Sequence, residues 1–266
     1  MGLDNIDVCW WNNKINFGDQ LNKYLIEKIS GREVKLKEEN SDKTHFLCIG
    51  SIFHLANKNS IVWGSGLISK KKKYLPLSSP KKIHAVRGPL TKKYIEKSNI
   101  KCPSIFGDPA LLLNKYYKPK VNKKYKLGII PHYTQVDYDI INSYKKNKQV
   151  KIISLINDNC EDVINQINEC ENIISSSLHG LIVADVYKIP NIWFEIKKGI
   201  FRTNSVIGNG FKFYDYYMSI GMNDFKCLKL IKGIPINNII NMCKLKRLKI
   251  NLEVLELSCP FIKNNE

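Results

Sequence analysis

The stretch Asn172–Ile196, NIISSSLHGLIVADVYKIPNIWFEI, decides the fold. Asn172–Ser175 is a short apolar run that reads as a strand. It breaks at Ser175-Ser176-Ser177; Leu178–Tyr187 then reads as a helix and Asn191–Ile196 as the next strand. Strand, small-residue turn, helix and strand make up the repeating unit of α/β proteins.

The same alternation extends outward from that stretch. Lys126–Ile130 reads as a strand ending in Pro131-His132, Val150–Leu155 as another, and Cys160–Asn168 as a helix with Asp158 or Asn159 at its start. Nearer the N-terminus, Ile6–Trp11 reads as a strand. Asp19–Ile29 carries Leu21, Tyr24, Leu25 and Ile29 at helical spacing, with Asp19 placed to cap it and Gly31 to end it. Thr44–Ile49 and Ile61–Trp63 are apolar runs of the buried-strand kind, leading into Gly50-Ser51 and Gly64-Ser65-Gly66. Ile83–Val86 breaks at Arg87-Gly88-Pro89, and Pro89 suits the first turn of a helix over Leu90–Glu96. The Lys-rich stretch Tyr117–Lys124, with Pro119, reads as a linker. The expectation is an α/β protein of two Rossmann-like domains facing a cleft. Residues 1–118 form the first and 125–225 the second, and a helical segment over 226–266 packs back on the first.

The bulk composition narrows the class. The 266 residues are 44% hydrophobic, enough for a core without covalent staples. Residues Met1–Asn5 show no basic stretch followed by an apolar run, so no secretory signal is expected, and no window is apolar enough to span a membrane. Gly2 invites a myristoylation reading, but Ile6 stands where that motif wants Ser or Thr. The eight cysteines are widely spaced and form no CxxC pair, which points to reduced thiols, a cytoplasmic location and no metal site. The net charge of +18 raises the question of nucleic acid. No RNP, zinc-finger or basic-zipper pattern accompanies it, so nucleic acid is not expected as a partner. Apart from the run Lys70–Lys73 the lysines are scattered, which suits steering of an anionic substrate or approach to an anionic lipid surface.

In open α/β sheets ligands bind beyond the carboxyl ends of the strands. Small or charged clusters fall there: Asn16–Asp19, Gly64–Gly66, Arg87-Gly88, Gly107-Asp108, Pro131-His132 and Ser175–Gly180. Glycines admit close backbone approach, a helix amino end favours anions, and Arg87 offers a planar fork for phosphate or carboxylate. Ser175–Gly180 is the richest cluster. Its serine hydroxyls can hold phosphate oxygens, and His179 sits in the first helical turn, placed to exchange a proton near neutral pH. Residue type alone leaves a plain helix cap and a packed histidine as the alternative. His45, His54 and His84 read as packing or surface residues, and Tyr214, Tyr216 and Tyr217 as core more than as a sugar platform.

The clusters also occur in an informative order. Asn16-Phe17-Gly18-Asp19, Val62–Gly66, Ala85–Thr91, Gly107–Leu112, Ile130–Tyr133, Ser175–Pro190 and Lys212–Tyr217 together resemble the polysaccharide pyruvyl transferase family, from about Asn12 to about Gly221. The resemblance implies a GT-B-like fold and transfer of pyruvate from phosphoenolpyruvate to two hydroxyls of a sugar. The product would be a cyclic ketal, with phosphate released. The expected partners are phosphoenolpyruvate and a glycan or lipid-linked sugar acceptor, with no metal and no organic cofactor. Two alternatives stand beside it: a GT-B-type glycosyltransferase using a nucleotide sugar, and a non-catalytic glycan or polyanion binder.

That reaction needs an acid for the methylene carbon, stabilisation of a cationic C2, a base for the sugar hydroxyl, and partners for carboxylate and phosphate. The family's matching Leu-His implies His179 as the acid. Asp19 or Asp108 would be the base, Arg87 would bind phosphate or carboxylate, and Gly64, Ser65, Gly66, Ser175, Ser176 and Ser177 would cradle oxygens. Some relatives carry an arginine where this chain has Ser177. Its donor-binding role would pass to Lys212, Arg202 or His132, or the donor differs.

Overall fold

The computed structural model describes residues 5–38, 42–76, 78–198, 203–204 and 206–262. Chain order in the first half is β1 (Ile6–Val8), α1 (Phe17–Ser30), β2 (Val34–Leu36), β3 (His45–Leu47), β4 (Ser60–Trp63), β5 (Lys82–Ala85), α2 (Pro89–Glu96) and α3 (Leu113–Tyr116). Its five strands are all parallel, in the order β2-β1-β3-β4-β5. The second half runs β6 (Tyr125–Ile130), α4 (Asp139–Asn142), β7 (Val150–Ile152), α5 (Cys160–Asn168), β8 (Cys170–Ser175), α6 (Leu178–Val186) and β9 (Asn191–Glu195). The strand pair β10 (Lys197–Lys198) and β11 (Thr203–Asn204) follows, then α7 (Phe211–Ser219), β12 (Cys227–Lys229), α8 (Ile236–Met242) and α9 (Leu252–Leu257). Its sheet order is β12-β9-β8-β6-β7, again all parallel.

The two sheets share one winding. In each, the second strand lies on one side of the first, and the third, fourth and fifth follow on the other. The direction of winding therefore reverses between β1 and β3 in one half, and between β6 and β8 in the other. A parallel doubly wound sheet opens a crevice at that reversal, outside the carboxyl strand ends. The residues after β1, β3, β6 and β8 are Asn16–Asp19, Gly50-Ser51, His132 and Ser176–His179.

One continuous core joins the halves. Phe17, Leu21 and Leu25 of α1 belong to the same buried cluster as Leu155, Val163 and Ile164 around α5, Leu178 and Leu181 of α6, and Leu111–Leu113. Burial of one such side chain contributes about 1.5–3 kcal/mol. The backbone N–H of Phe17 donates to the Leu155 carbonyl at 2.8 Å across the same boundary.

A buried ion pair closes the far side of the boundary. Arg87, just after β5, and Asp215 of α7 are both 0% exposed. Arg87 Nε and Nη2 each lie 3.0 Å from Asp215 Oδ2. Arg87 Nη1 donates to Ser51 Oγ at 2.6 Å, and Nη2 also donates to the Leu67 carbonyl at 2.6 Å. The backbone N–H and hydroxyl of Thr91, in α2, donate to Asp215 at 2.8 and 2.6 Å. Gly88 makes the approach possible, since a Cβ there would meet the Asp215 carbonyl oxygen at 2.1 Å.

Several elements differ from the sequence expectation. The first helix starts at Phe17, with Asn16 in the cap position and Asp19 already inside the first turn, where it accepts from Asn16 Nδ2 at 2.6 Å. The strand β2 is a three-residue edge too short to show a period. Residues 226–266 are not wholly helical. Cys227–Lys229 pairs with Trp193–Glu195 as the fifth strand of the second sheet, and α8 covers that sheet. Only α9 and its flank lie on the first half, where Trp63 Nε1 donates to the Leu255 carbonyl at 3.0 Å and Phe261 meets Phe46. All eight cysteines are free thiols. Among the described residues no helix is long and apolar enough to cross a membrane.

Removing one partner of a buried ion pair strands the other charge. Asp215→Ala is therefore expected to lower the unfolding free energy by about 3–5 kcal/mol in a denaturant titration. The double variant Arg87→Met/Asp215→Leu should recover much of that loss. Wild-type-like stability of Asp215→Ala would contradict the assignment.

Candidate active site

The two winding reversals face one another, and a cavity of about 340 Å³ lies between them. Asn16, Asp19 and Ser51 line it from the first half; His132, Ser177, His179 and Lys212 line it from the second. Trp11, His54, Tyr74 and Tyr133 add an aromatic wall. Trp11 and Tyr133 lie 5.6 Å apart between ring centroids, with the rings inclined at 31°.

His179 is wedged across the boundary. Its Nε2 faces Asp108 Oδ2 at 3.5 Å, and neither atom has a hydrogen-bond partner. The other Asp108 oxygen is used locally, accepting the Ala110 N–H at 3.0 Å. On the ring's other flank lies Gly18, where a Cβ would stand 2.1 Å from His179 Nδ1. Only glycine lets α1 approach the imidazole so closely.

Charge is tuned strongly here. Burial pushes the Asp19 carboxyl up to about 6; the Asn16 hydrogen bond and the charges of His179 and Lys212 pull the other way. Burial lowers the Lys212 ammonium to about 8, with Arg87 adding to the effect and Asp19 opposing it. Burial, then the charge of Lys212, lowers His132 to about 3, so this imidazole is neutral at physiological pH. Its Nδ1 lies 2.8 Å from the Thr134 hydroxyl. Near neutral pH the cavity thus offers a carboxyl at the edge of ionisation, a protonated amine and a neutral histidine.

The residues expected from the sequence divide into two groups. Asp19, His132, Ser177, His179 and Lys212 meet in the cavity wall. The others stand behind it, for reasons of bonding. Arg87 was expected to bind the donor, but Asp215, Ser51 and Leu67 enclose its guanidinium, and Gly66 packs on its face. Of the described cavity-lining residues, it bonds to Ser51. Gly64, Ser65 and Gly66 lie outside the cavity lining and pack within the protein. Gly64 packs on Pro109, Ser65 Oγ donates to the Gly50 carbonyl at 3.2 Å, and Gly66 N–H donates to the same carbonyl at 3.0 Å. Ser175 Oγ is occupied by Ile130 and Ser177 backbone, and Ser176 Oγ by Gln135 and the His132 N–H. Asp108 is 0% exposed and turned toward His179, behind the residues that line the cavity. Arg202 lies outside the described residues.

Sequence reasoning missed His54, Trp11, Tyr74 and Ser51 as cavity residues. Gly50-Ser51 stood out only as a strand-end turn, and that position was the available signal. Tyr216 and Tyr217 are core residues, with Tyr216 Oη donating to Asp185 at 2.8 Å.

The polysaccharide pyruvyl transferase family profile matches residues 16–198. An uncharacterized protein of Acanthamoeba polyphaga mimivirus is 29% identical over 247 residues, covering 89% of this chain and 83% of that protein. Succinoglycan biosynthesis protein ExoV of Rhizobium meliloti is 28% identical over 223 residues, covering 80% of this chain and 64% of that protein, a little under two thirds of its length. A solved structure of an uncharacterized Klebsiella pneumoniae protein aligns over 85% of this chain and 93% of its own, at 13% identity and a TM-score of 0.44.

The contact at Gly18 gives a direct test of the geometry. Gly18→Ala should shift the His179 imidazole resonances in an NMR spectrum and leave those of His45, which is bonded to Ser60 within the first sheet, in place. Unmoved His179 resonances would contradict the packing.

Proposed function

This chain belongs to the polysaccharide pyruvyl transferase family, and from that premise we propose that it moves pyruvate from phosphoenolpyruvate onto two hydroxyls of a sugar. A cyclic ketal forms and inorganic phosphate leaves. The observation that carries the reading is the convergence of His179, Asp19 and Lys212 on one cavity where both sheets reverse their winding. Paired sheets meeting at their carboxyl edges are in line with a GT-B-like arrangement. The relative named for succinoglycan biosynthesis is in line with a polysaccharide acceptor.

Each side chain has a step that its surroundings suit. Lys212, protonated near neutral pH, holds the donor's phosphate or carboxylate, taking the role that an arginine at the Ser177 position has in some relatives. His179 delivers a proton to the methylene carbon, which becomes a methyl group, and positive charge develops at C2. Asp108, facing Nε2 with an unbonded oxygen, stabilises the protonated imidazole and fixes its orientation. A sugar hydroxyl oxygen then bonds to C2 as its proton passes to Asp19, whose raised pKa makes it a more effective base than an ordinary carboxylate. The C2–O bond to phosphate breaks, with the electron pair leaving on phosphate. The second hydroxyl closes the ring on C2, and its proton departs with the phosphate. Trp11 and Tyr133 offer flat faces to the sugar.

Incubation with phosphoenolpyruvate and a panel of hexosides, read as phosphate release, tests the reading. His179→Ala is expected to lose about 10²–10⁴-fold in rate. Full activity of that variant, or no release on any acceptor, would sink it. The pH profile of kcat/KM should be bell-shaped. It rises through about 6 as Asp19 loses its proton and becomes a base, and falls through about 8 as Lys212 loses its charge. Asp19→Asn should cut the rate to a small residue and abolish the acid limb; an unchanged acid limb would remove Asp19 from the mechanism.

A further inference from the structure

An asparagine in a helix cap ordinarily turns its side-chain oxygen back to accept a backbone N–H of the first turn. Asn16, which caps α1, makes no such bond. Its Nδ2 instead donates to Asp19 Oδ2 at 2.6 Å. The backbone holds the turn, with the Asn16 carbonyl accepting the N–H groups of Asp19 and Gln20 at 2.9 and 3.0 Å. Both side chains line the catalytic cavity.

The chemistry of the pair settles which atoms are left over. An ionised carboxylate only accepts, so the amide end against Asp19 is the nitrogen, and Oδ1 is the other end. Neither Asn16 Oδ1 nor Asp19 Oδ1 accepts a hydrogen bond from any described residue. Two open acceptors therefore stand at the ends of one hydrogen-bonded bridge in the cavity wall. A ketal draws two hydroxyls from one acceptor molecule, and each hydroxyl is a donor until its oxygen bonds to carbon.

We infer that Asn16 and Asp19 together form the acceptor's diol site, with Asp19 Oδ1 taking the hydroxyl that attacks first and Asn16 Oδ1 holding the second for ring closure. The inference rests on the transfer reading above and adds to it a residue that selects the acceptor. Because Nδ2 occupies Asp19 Oδ2, Oδ1 is the atom that receives the proton. Asn16 itself gains and loses no proton; it accepts a hydrogen bond from the second hydroxyl until that oxygen bonds to C2. A sugar with one hydroxyl in reach fills one acceptor and leaves the other bare, so the site favours vicinal or 1,3-related pairs.

Equilibrium titration with sugar alone tests this independently of turnover. The probes are the methyl glycosides of glucose, galactose and mannose, each beside its 3-, 4- and 6-deoxy analogues. For at least one sugar, wild type should prefer the full diol to a deoxy analogue by about three- to tenfold, the worth of one hydrogen bond. Asn16→Ala should bind the two alike, since the lost hydroxyl and the lost oxygen are partners. No cap bond is lost in that variant, so it should melt close to wild type. Asn16→Asp keeps an acceptor oxygen and should restore the preference. The second readout is the Asp19 carboxyl itself, followed by carbon NMR and assigned by its absence in Asp19→Asn. His179, Lys212 and Tyr133 face the same carboxyl, and the Asn16 bond pulls it down from where burial would put it. Asn16→Ala should therefore move its titration upward from about 6. A diol preference equal in wild type and Asn16→Ala, no measurable binding of any glycoside to wild type, no restored preference in Asn16→Asp, or an unmoved Asp19 titration would overturn the inference. Phosphate release from phosphoenolpyruvate on the same sugars separates the two readings. Release with a diol preference that ignores Asn16 rejects this site and keeps pyruvyl transfer. An Asn16-dependent preference with no release on any sugar keeps a diol site and rejects the transfer.

Discussion

The buried pair Arg87–Asp215 is the constraint on which the rest of the site depends. Arg87 comes from the end of the first sheet and Asp215 from a helix of the second half, and each is closed off from water. Two opposite charges at that depth are tolerable only because nearly every donor and acceptor around them is met: by Ser51, by the Leu67 carbonyl and by Thr91. That requirement fixes α7 against the first half. Lys212, one turn before Asp215 on the same helix, is thereby held at the cavity, and Ser51 is held at its opposite wall. An arginine set behind the cavity wall fixes the positions of residues that line it.

The charge of Arg87 also acts through space. It helps to lower the Lys212 ammonium, while the buried Asp19 nearby is raised. Placing an acid and an amine in one poorly hydrated cavity moves both toward neutrality, so both become able to exchange protons or charge near pH 7. His132 beside them stays neutral for the same reason. His179 is held by shape instead, between the bare face of Gly18 and the unbonded oxygen of Asp108.

Much of this was legible in the sequence. The apolar runs located most strands within a few residues, because buried parallel strands show as continuous hydrophobic stretches. Cys160–Asn168 was read with its true ends, since Asn159 caps it by accepting the Asp162 N–H. The strands β2 and β12 were not legible; three residues at a sheet edge carry no period, and what makes them strands is a neighbour far away in the chain. The strand-end clusters located the cavity, yet they did not separate the residues that line it from those that support it. Ser177 and Ser175 are the same residue type two positions apart. One faces the cavity, while the other bonds the backbone on both sides of its turn. Arg87 reads as an anion binder until Asp215 is found against it, 128 residues along the chain. Such pairings are long-range, and no local pattern announces them.

The most direct test of the central claim is the fate of the methylene carbon of phosphoenolpyruvate in heavy water. In the proposed transfer that carbon gains a proton, with His179 as the acid in exchange with solvent. Wild type acting in D2O should therefore give a sugar ketal whose methyl group carries one solvent deuterium, seen in the proton spectrum or as a mass shift of one. A product that keeps the CH2 group as an enol ether, or a ketal methyl without deuterium, would contradict the account.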